Sequence, residues 1–399
     1  MTGVTTGNGR AYGGTRRALA SLLLAVVAGA ALASPYRPRD DGEVLARVPA
    51  RAELGRLEAL RPSRARPLAV GAALALARGY IEIGRHESDP RFIGYAQATL
   101  APWMVQPNPQ EPVLVVQAIT LQFLHRFDES LSLLDRAVAL APLDGQAWLT
   151  RASILELRGD YAGARKSCAR LVRATDEVTA LTCLGSVDSR SGRLASSYAA
   201  LRGLTDSRLL PEMRGWVLSI RAEMAERLGE DRRAEADLRL ALSSAPDDPY
   251  LKASYADLLL RLDRPREVLA LLASSEAQDG LLLRLAIAGR RVGAPEATRW
   301  AQMYAARVQA AARDGDGTHR REEAMYLLDV VGDAQAALRA AAANWVVQRE
   351  PADVRVYARA ALATRSGTDR AVIGAWLASS HFEDSTLPAA AAVVTGGAL

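Results

Sequence analysis

The chain is poor in lysine, and this scarcity decides how its charge is read. Only Lys166 and Lys252 occur among 50 basic residues in a chain of 399, so almost every cation is an arginine. The formal charge of +5 falls by three, to +2, without residues 1–33, which carry three arginines and no acidic residue. A body this close to neutral lacks the basic stripe that nucleic-acid binding requires. The abundance of alanine and arginine indicates GC-rich coding, which is typical of bacteria.

Residues that perform catalysis or bind metals are also scarce. The four histidines, His86, His125, His319 and His381, show no metal-ligand spacing such as H-E-x-x-H. No phosphate-binding loop, G-x-S-x-G motif or dinucleotide fingerprint follows a predicted strand, and no strand is predicted at all. Residues 314–318 begin like a calcium loop but lack its later carboxylates. The sequence therefore predicts no catalytic residue, no cofactor, no metal and no enzyme activity.

The first 33 residues predict an export signal. Arg16 and Arg17 precede an uncharged apolar run, and the run closes with Ala31-Leu32-Ala33. A basic start, a short apolar core and an A-x-A end describe a signal peptide cleaved after residue 33. The alternative is an uncleaved signal anchor, although sixteen residues is short for a span that needs about 20. Residues 34–67 are predicted to be a Pro/Arg-rich linker with one short capping helix, Glu43–Leu60.

A period of about 34 residues organises the chain from Leu68 onward. The small residue that lets two helices approach recurs through the sequence, and a glycine five residues earlier marks many of the turns between them. We place the small residue at Ala96, Ser130, Ala164, Ser197, Ala234, Val268, Thr298, Ala337 and Val372. The turn glycines are Gly159, Gly192, Gly229, Gly293, Gly332 and Gly367. Such a period is typical of a solenoid built from helix pairs.

These units resemble the tetratricopeptide repeat (TPR). The unit Glu111–Pro142 carries the family pattern at Leu114, Ala118, Leu121, Phe127, Ser130, Leu134, Ala137 and Pro142. The resemblance extends over Leu68–Phe382. It implies an all-α, right-handed solenoid of about eight to nine antiparallel helix pairs. Residues 68–275 are assigned to TPR-like repeats, 276–383 to irregular helical repeats, and 384–399 to a disordered tail.

The same resemblance places the two cysteines on packed helices. Cys168 falls on the second helix of one unit and Cys183 on the first helix of the next. Exported thiols tend to be oxidised, and the spacing fits no redox or metal motif. A structural disulfide is therefore favoured over two buried free thiols or an active redox pair.

The family's inward-facing positions define a candidate partner-binding groove. They fall on Gln122, Leu149, Ser153, Glu156, Ser186, Arg190, Trp216, Ser219, Glu223, Tyr250, Asp257, Arg261, Arg290 and Arg291. The lysines and asparagines with which chaperone-binding members clamp a terminal carboxylate do not occur at these positions. Trp216 and Tyr250 are candidate aromatic anchors, and the alternative is that either ring packs against a neighbouring repeat.

These observations predict a non-enzymatic scaffold of the bacterial envelope, located in the periplasm. It would bind a peptide or a domain of another protein in the groove and would not bind nucleic acid. The alternative is an assembly or biogenesis factor for an envelope complex, held in the inner membrane by an uncleaved signal segment and facing the periplasm.

Overall fold

A computed structural model describes residues 68–204, 211–313 and 320–388. Within these ranges the chain forms eighteen α-helices and no β-strand. The predicted signal segment, the linker, the helix Glu43–Leu60 and residues 389–399 lie outside the described residues. None of the described helices is both long enough and apolar enough to span a bilayer.

The helices follow one another in nine pairs. The first ten are α1 Val70–Glu87, α2 Pro90–Met104, α3 Glu111–Phe123, α4 Phe127–Leu140, α5 Gly145–Leu157, α6 Tyr161–Ala174, α7 Glu177–Ser189, α8 Leu194–Arg202, α9 Pro211–Arg227 and α10 Asp231–Ser244. The others are α11 Pro249–Arg261, α12 Pro265–Leu271, α13 Asp279–Val292, α14 Ala297–Arg313, α15 Arg320–Tyr326, α16 Ala334–Val347, α17 Pro351–Ala363 and α18 Gly367–Ser380, with a π-helix, Leu327–Val331, directly after α15. We call the odd-numbered helices A helices and the even-numbered helices B helices.

Several pairs pack closely where a small side chain meets the partner helix. Ala164 and Ala234 are completely buried, and the buried hydroxyl of Ser130 donates a hydrogen bond to the carbonyl of Ala118, 2.7 Å away. Because no bulky group separates the two helices, their apolar faces meet and neighbouring pairs bury the remainder. The predicted all-α solenoid of helix pairs is confirmed.

The predicted small positions are wrong in two of the irregular C-terminal units. Thr298 is exposed and Val372 is 42% exposed. The adjacent Ile373 is completely buried instead. The repeat period no longer identifies the buried position here, because a change in turn length moves the first residue of the following helix.

Glycines in the left-handed backbone region end several A helices. The backbone φ is 79° at Gly159, 83° at Gly192 and 78° at Gly229, and it is also positive at Gly293 and Gly332. A side chain strains this conformation, so glycine is the residue best suited to it. Gly367 was predicted to serve the same role, and this is wrong: Arg365 has φ 55°, and Gly367 is the first residue of α18.

A disulfide joins Cys168 on α6 to Cys183 on α7, with their Cα atoms 5.6 Å apart. Both residues lie in the main apolar core, which extends along the units from Ala152 to Phe382. The bond therefore fastens the B helix of one pair to the A helix of the next, at a place where packing already holds them together.

Candidate partner-binding surface

Several predicted groove residues bond to the next A helix in line. Gln122 Nε2 on α3 donates to Ser153 Oγ on α5 at 3.3 Å. Ser186 on α7 donates its hydroxyl to Glu156 Oε1 on α5 at 2.7 Å. These side chains share one face of consecutive A helices, as the family pattern implies. They also form hydrogen bonds with one another, so part of the predicted groove serves to fix the spacing between repeats.

Arg190 is the centre of this row of side chains. Its Nη2 lies 3.0 Å from Glu223 Oε2 on α9, and its Nε lies 3.1 Å from Glu156 Oε1 without the alignment of a hydrogen bond. Burial alone would lower the pKa of Arg190, but Glu223 and Glu156 outweigh burial and raise it. A buried guanidinium between two carboxylates therefore stays charged and ties three A helices together.

The next predicted charges are paired in the same way. Arg261 Nε on α11 donates to Glu226 on α9 at 2.8 Å. Asp257 accepts two hydrogen bonds from Arg284 on α13, at 2.8 and 2.6 Å. Arg284 is 4% exposed and was not among the predicted residues. A sequence offers little warning of such a residue, because an arginine on the face between two A helices reads as an ordinary surface charge.

Four of the other predicted residues differ in their surroundings. Leu149 and Trp216 are half-buried and pack against the main core. Buried Ser219 donates its hydroxyl to the backbone of Trp216 at 2.8 Å. Arg291 is exposed and donates to the carbonyl of Leu260.

Arg290, another of the predicted residues, is exposed. The side chain of Trp216, by contrast, packs against the main core and is not freely presented. The two predicted aromatic anchors are not equivalent.

Tyr250 is the candidate aromatic anchor that remains open. It is 61% exposed at the start of α11. Desolvation nevertheless raises the pKa of its phenol, and the negative charges of Glu350 and Glu223 raise this pKa further. Glu350 stands just before α17, whereas Glu223 belongs to α9. Charged groups from the middle and the end of the chain therefore act on this exposed aromatic side chain.

The C-terminal units pack against the early repeats. The amide of Arg349 donates to the carbonyl of Leu157 at 2.7 Å, and Val347 packs against the apolar cluster of α3 to α5 that includes Leu114 and Ile154. Gly159 faces the side chains of Arg349 and Trp376. The chain's own later units thus cover the end of α5, next to the predicted groove residue Glu156.

A buried cluster stabilises the segment that makes these contacts. Arg321 Nη1 lies 2.7 Å from Glu350 Oε2 and 3.4 Å from Asp353 Oδ1. Asp353 also accepts from Asn344 Nδ2 at 2.9 Å and from the Glu350 amide at 2.7 Å. This cluster was not predicted from the sequence, since its members come from irregular units where the repeat pattern fades. Glu350, with Asp353 three residues later at the start of α17, was the available signal, because together they form a capping box.

Residues 381–388, which we call the C-terminal strap, cross the ends of α7 and α9. Arg227 Nε donates to the carbonyl of Glu383 at 2.9 Å, and its guanidinium carbon lies 4.3 Å from the centre of the Phe382 ring. Arg355 Nε donates to Asp384 Oδ2 at 2.8 Å. The prediction of a disordered tail from residue 384 is therefore wrong for residues 384–388, which belong to the packed structure.

A cavity of about 380 Å³ lies beside the strap, between the turn after α5 and helix α18. Tyr161, Ser191, Arg349, Trp376 and His381 are among its lining residues. In the described ranges, no group of three or more histidine, cysteine, aspartate or glutamate side chains is placed to hold a metal ion.

The family comparison agrees with the helix pairs. Residues 115–177 match the model of the tetratricopeptide repeat, and these residues form the pairs α3–α4 and α5–α6. Residues 115–177 therefore consist of tetratricopeptide repeats. Repeats of this kind are protein-interaction modules. No curated protein matches the sequence.

Solved structures of TPR proteins resemble the chain at low identity. A tetratricopeptide repeat protein from Parabacteroides merdae is 13% identical, over 64% of this chain and 97% of its own, with a TM-score of 0.40. The human IFIT1 dimer with PPP-AAAA is also 13% identical, over 80% of this chain and 75% of its own, with a TM-score of 0.47. The P58(IPK) TPR domain is 16% identical, over 80% of this chain and 95% of its own, with a TM-score of 0.24.

Proposed function

We propose that this TPR protein is a non-enzymatic scaffold that binds another protein through the surface around Tyr250. The observation that carries the proposal is the 61% exposure of this ring among the charges of Glu223, Glu350 and Arg190. Aromatic side chains dominate the binding energy of protein interfaces, and surrounding polar groups exclude water from them. Trp216, the other candidate aromatic anchor, is already packed against the main core.

The proposal includes export to the bacterial envelope. The apolar run after Arg17 supports it, and so does the cysteine pair, because disulfides persist in oxidising compartments. N-terminal sequencing of the protein from envelope fractions tests the cleavage. A start at Ser34 supports a periplasmic scaffold, whereas a start at Met1 or Thr2 supports the alternative of a membrane-anchored assembly factor.

Site-specific photo-crosslinking in living cells tests the surface. A photoreactive phenylalanine analogue replaces Tyr250 in one variant and Val172 in a control variant, since Val172 is also well exposed, at 64%, and lies on the B helix α6. We expect a discrete adduct with one other protein from position 250 and none from position 172. The same protein should co-purify with the wild type but not with Tyr250→Ala. Equal adducts from both positions would contradict the proposal.

A further inference from the structure

The surface that holds the C-terminal strap includes Leu194, Arg227 and Arg355. We call this surface the seat, and it has the features of a peptide-binding site. Arg227 is 1% exposed, and it holds the strap by its main chain in both directions. Its Nε donates to the Glu383 carbonyl at 2.9 Å, and its own carbonyl accepts from the Ser385 amide at 2.8 Å. Contacts of this kind depend on an extended backbone and would serve any peptide that takes the same path.

Three strap side chains add specificity at successive positions. The Phe382 ring lies on the Arg227 guanidinium, an arrangement in which the ring face attracts the cation. The Glu383 carboxylate accepts from the Leu194 amide at 3.4 Å. The Asp384 side chain is fully buried against Arg355. The seat therefore selects an aromatic residue followed by two acidic residues.

The strap packs closely against the turns after α7 and α9. A Cβ added to Gly192 would lie 3.0 Å from the Cβ of His381, and one added to Gly229 would lie 3.1 Å from the Oγ of Ser385. The two turns after α7 and α9 thus leave room that the strap fills. Arg227 is fixed from behind by Ser189, whose hydroxyl accepts from Nη1 at 3.1 Å, so the site does not depend on the strap for its orientation.

One buried hydrogen-bond donor of the seat is not paired when the strap is bound. Arg355 Nη2 is buried and has no hydrogen-bond partner, although Asp384 and Glu226 occupy the other nitrogens of the same guanidinium. A buried donor without an acceptor costs free energy. The strap also follows the last helix pair, and segments at the end of a packed unit open at lower cost than the core.

We propose that the strap is an internal ligand, and that a partner protein displaces it with an exposed segment carrying an aromatic residue followed by two acidic residues. This inference rests on the proposed scaffold function and names the class of partner segment. Opening of the strap would expose Arg227 and Arg355 together, and a segment of this chemistry supplies both the ring that Arg227 loses and the carboxylate that Arg355 loses.

Peptide titration of the full-length chain tests the proposal. The probe is a fluorescently labelled peptide with the sequence of residues 380–388. The strap-weakened chain carries Phe382→Ala and Asp384→Asn. We expect it to bind the probe roughly ten-fold more tightly than the wild type does, because the internal competitor is impaired. Probes with alanine in place of Phe382 or asparagine in place of Asp384 should lose roughly ten-fold in affinity.

A matched pair of arginine variants locates the site. In the strap-weakened chain, Arg355→Gln should abolish the gain in affinity. Arg359→Gln should retain it, since Arg359 lies one turn further along α17 and pairs with Asp329. Equal probe affinity for the wild-type and strap-weakened chains, or affinity that ignores the ring and the carboxylate of the probe, would overturn the proposal.

Hydrogen exchange of the wild type tests the proposal even if the strap-weakened chain does not fold. The Ser385 amide should exchange through local opening, faster than amides in the middle of α5 and α7. Exchange of Ser385 only through global unfolding would show that the strap is not released, and would overturn the proposal. A dimer of the wild type that exchanges straps would also overturn it, by making a second copy the occupant. If the probe fails while Tyr250 still gives its crosslink, the scaffold function stands without this inference.

Discussion

Arg190 Nη2 lies 3.0 Å from Glu223 Oε2, and this pair connects the end of α7 to the next A helix. The guanidinium also balances Glu156, so its removal leaves Glu156 without this cation and leaves Glu223 with Arg227 alone, 3.5 Å away. Arg190→Met should lower the free energy of unfolding by about 3 kcal/mol. Arg126→Met is the control, because Arg126 pairs with Glu129 at an exposed site, where an ion pair contributes little to stability. Chemical denaturation monitored by circular dichroism measures both, and equal losses would contradict the role assigned to Arg190.

Alanine substitution of the two candidate anchors should change the free energy of unfolding by different amounts. Trp216 packs against the main core, so Trp216→Ala should cost about 2 kcal/mol of unfolding free energy, near the lower end of the range for buried side chains. Tyr250 is largely exposed, and Tyr250→Ala should change stability by less than about 0.5 kcal/mol. Thermal melting of the two single variants decides the point. A large loss in Tyr250→Ala would show that its ring is part of the packed structure.

The disulfide should be fully formed in exported protein. Thiol titration of denatured protein should detect no free thiol from Cys168 or Cys183. The bond closes a loop of 15 residues, so replacing both cysteines with serine should lower the free energy of unfolding by about 3 kcal/mol in the chain-entropy model. Two reactive thiols in the exported protein would rule the bond out in the cell.

Glu111 gives the protein a dependence on pH near neutrality. Burial raises its pKa to about 7, and the charge of Asp144 and the hydrogen bond between the two carboxyl groups act in the same direction. A raised acid pKa favours the folded state at low pH, and this stabilisation is lost as pH rises from about 4.5 toward 7. Glu111→Gln keeps the neutral form, so its stability relative to the wild type should rise between pH 5 and pH 8, by about 1 kcal/mol after solvent screening.

Glu129→Gln is the control for this titration. Its hydrogen bond with Arg126 lowers the pKa of Glu129, so it titrates below the range from pH 5 to pH 8 and should show no such trend. A flat difference between wild type and Glu111→Gln over this range would contradict the assignment.

The sequence predicted the helix pairs because they follow from local chemistry. Ser130 and Ala164 recur at the spacing of the repeat and are buried as expected, and Gly159 and Gly192 end their helices with positive φ. The same pattern also identified the face that carries Arg190 and Glu223. These features depend on neighbours within one or two repeats, which a periodic sequence encodes directly.

What covers that face could not be predicted in the same way. Arg227 meets Glu383 across 156 residues of sequence, and no repeat relates the two positions. Phe382 and Asp384 come directly after the last helix, where a short polar stretch reads as a tail. The register of the last units was also lost, as Val372 and Gly367 show, because turns of different length shift the pattern. Long-range packing, not local preference, decides these positions.

The contact between Gly192 and the strap can be measured with a matched pair of glycines. Gly192 has φ 83° and Gly332 has φ 84°, so alanine at either position meets about 1 kcal/mol of backbone strain. A Cβ at position 332 would have no atom within 4 Å, whereas one at position 192 would lie 3.0 Å from the Cβ of His381. Gly192→Ala should therefore lower the free energy of unfolding by about 1 kcal/mol more than Gly332→Ala does. Hydrogen exchange should also show the Ser385 amide less protected in Gly192→Ala alone. Equal effects of the two substitutions on stability and on that amide would mean that the strap does not press against the turn after α7.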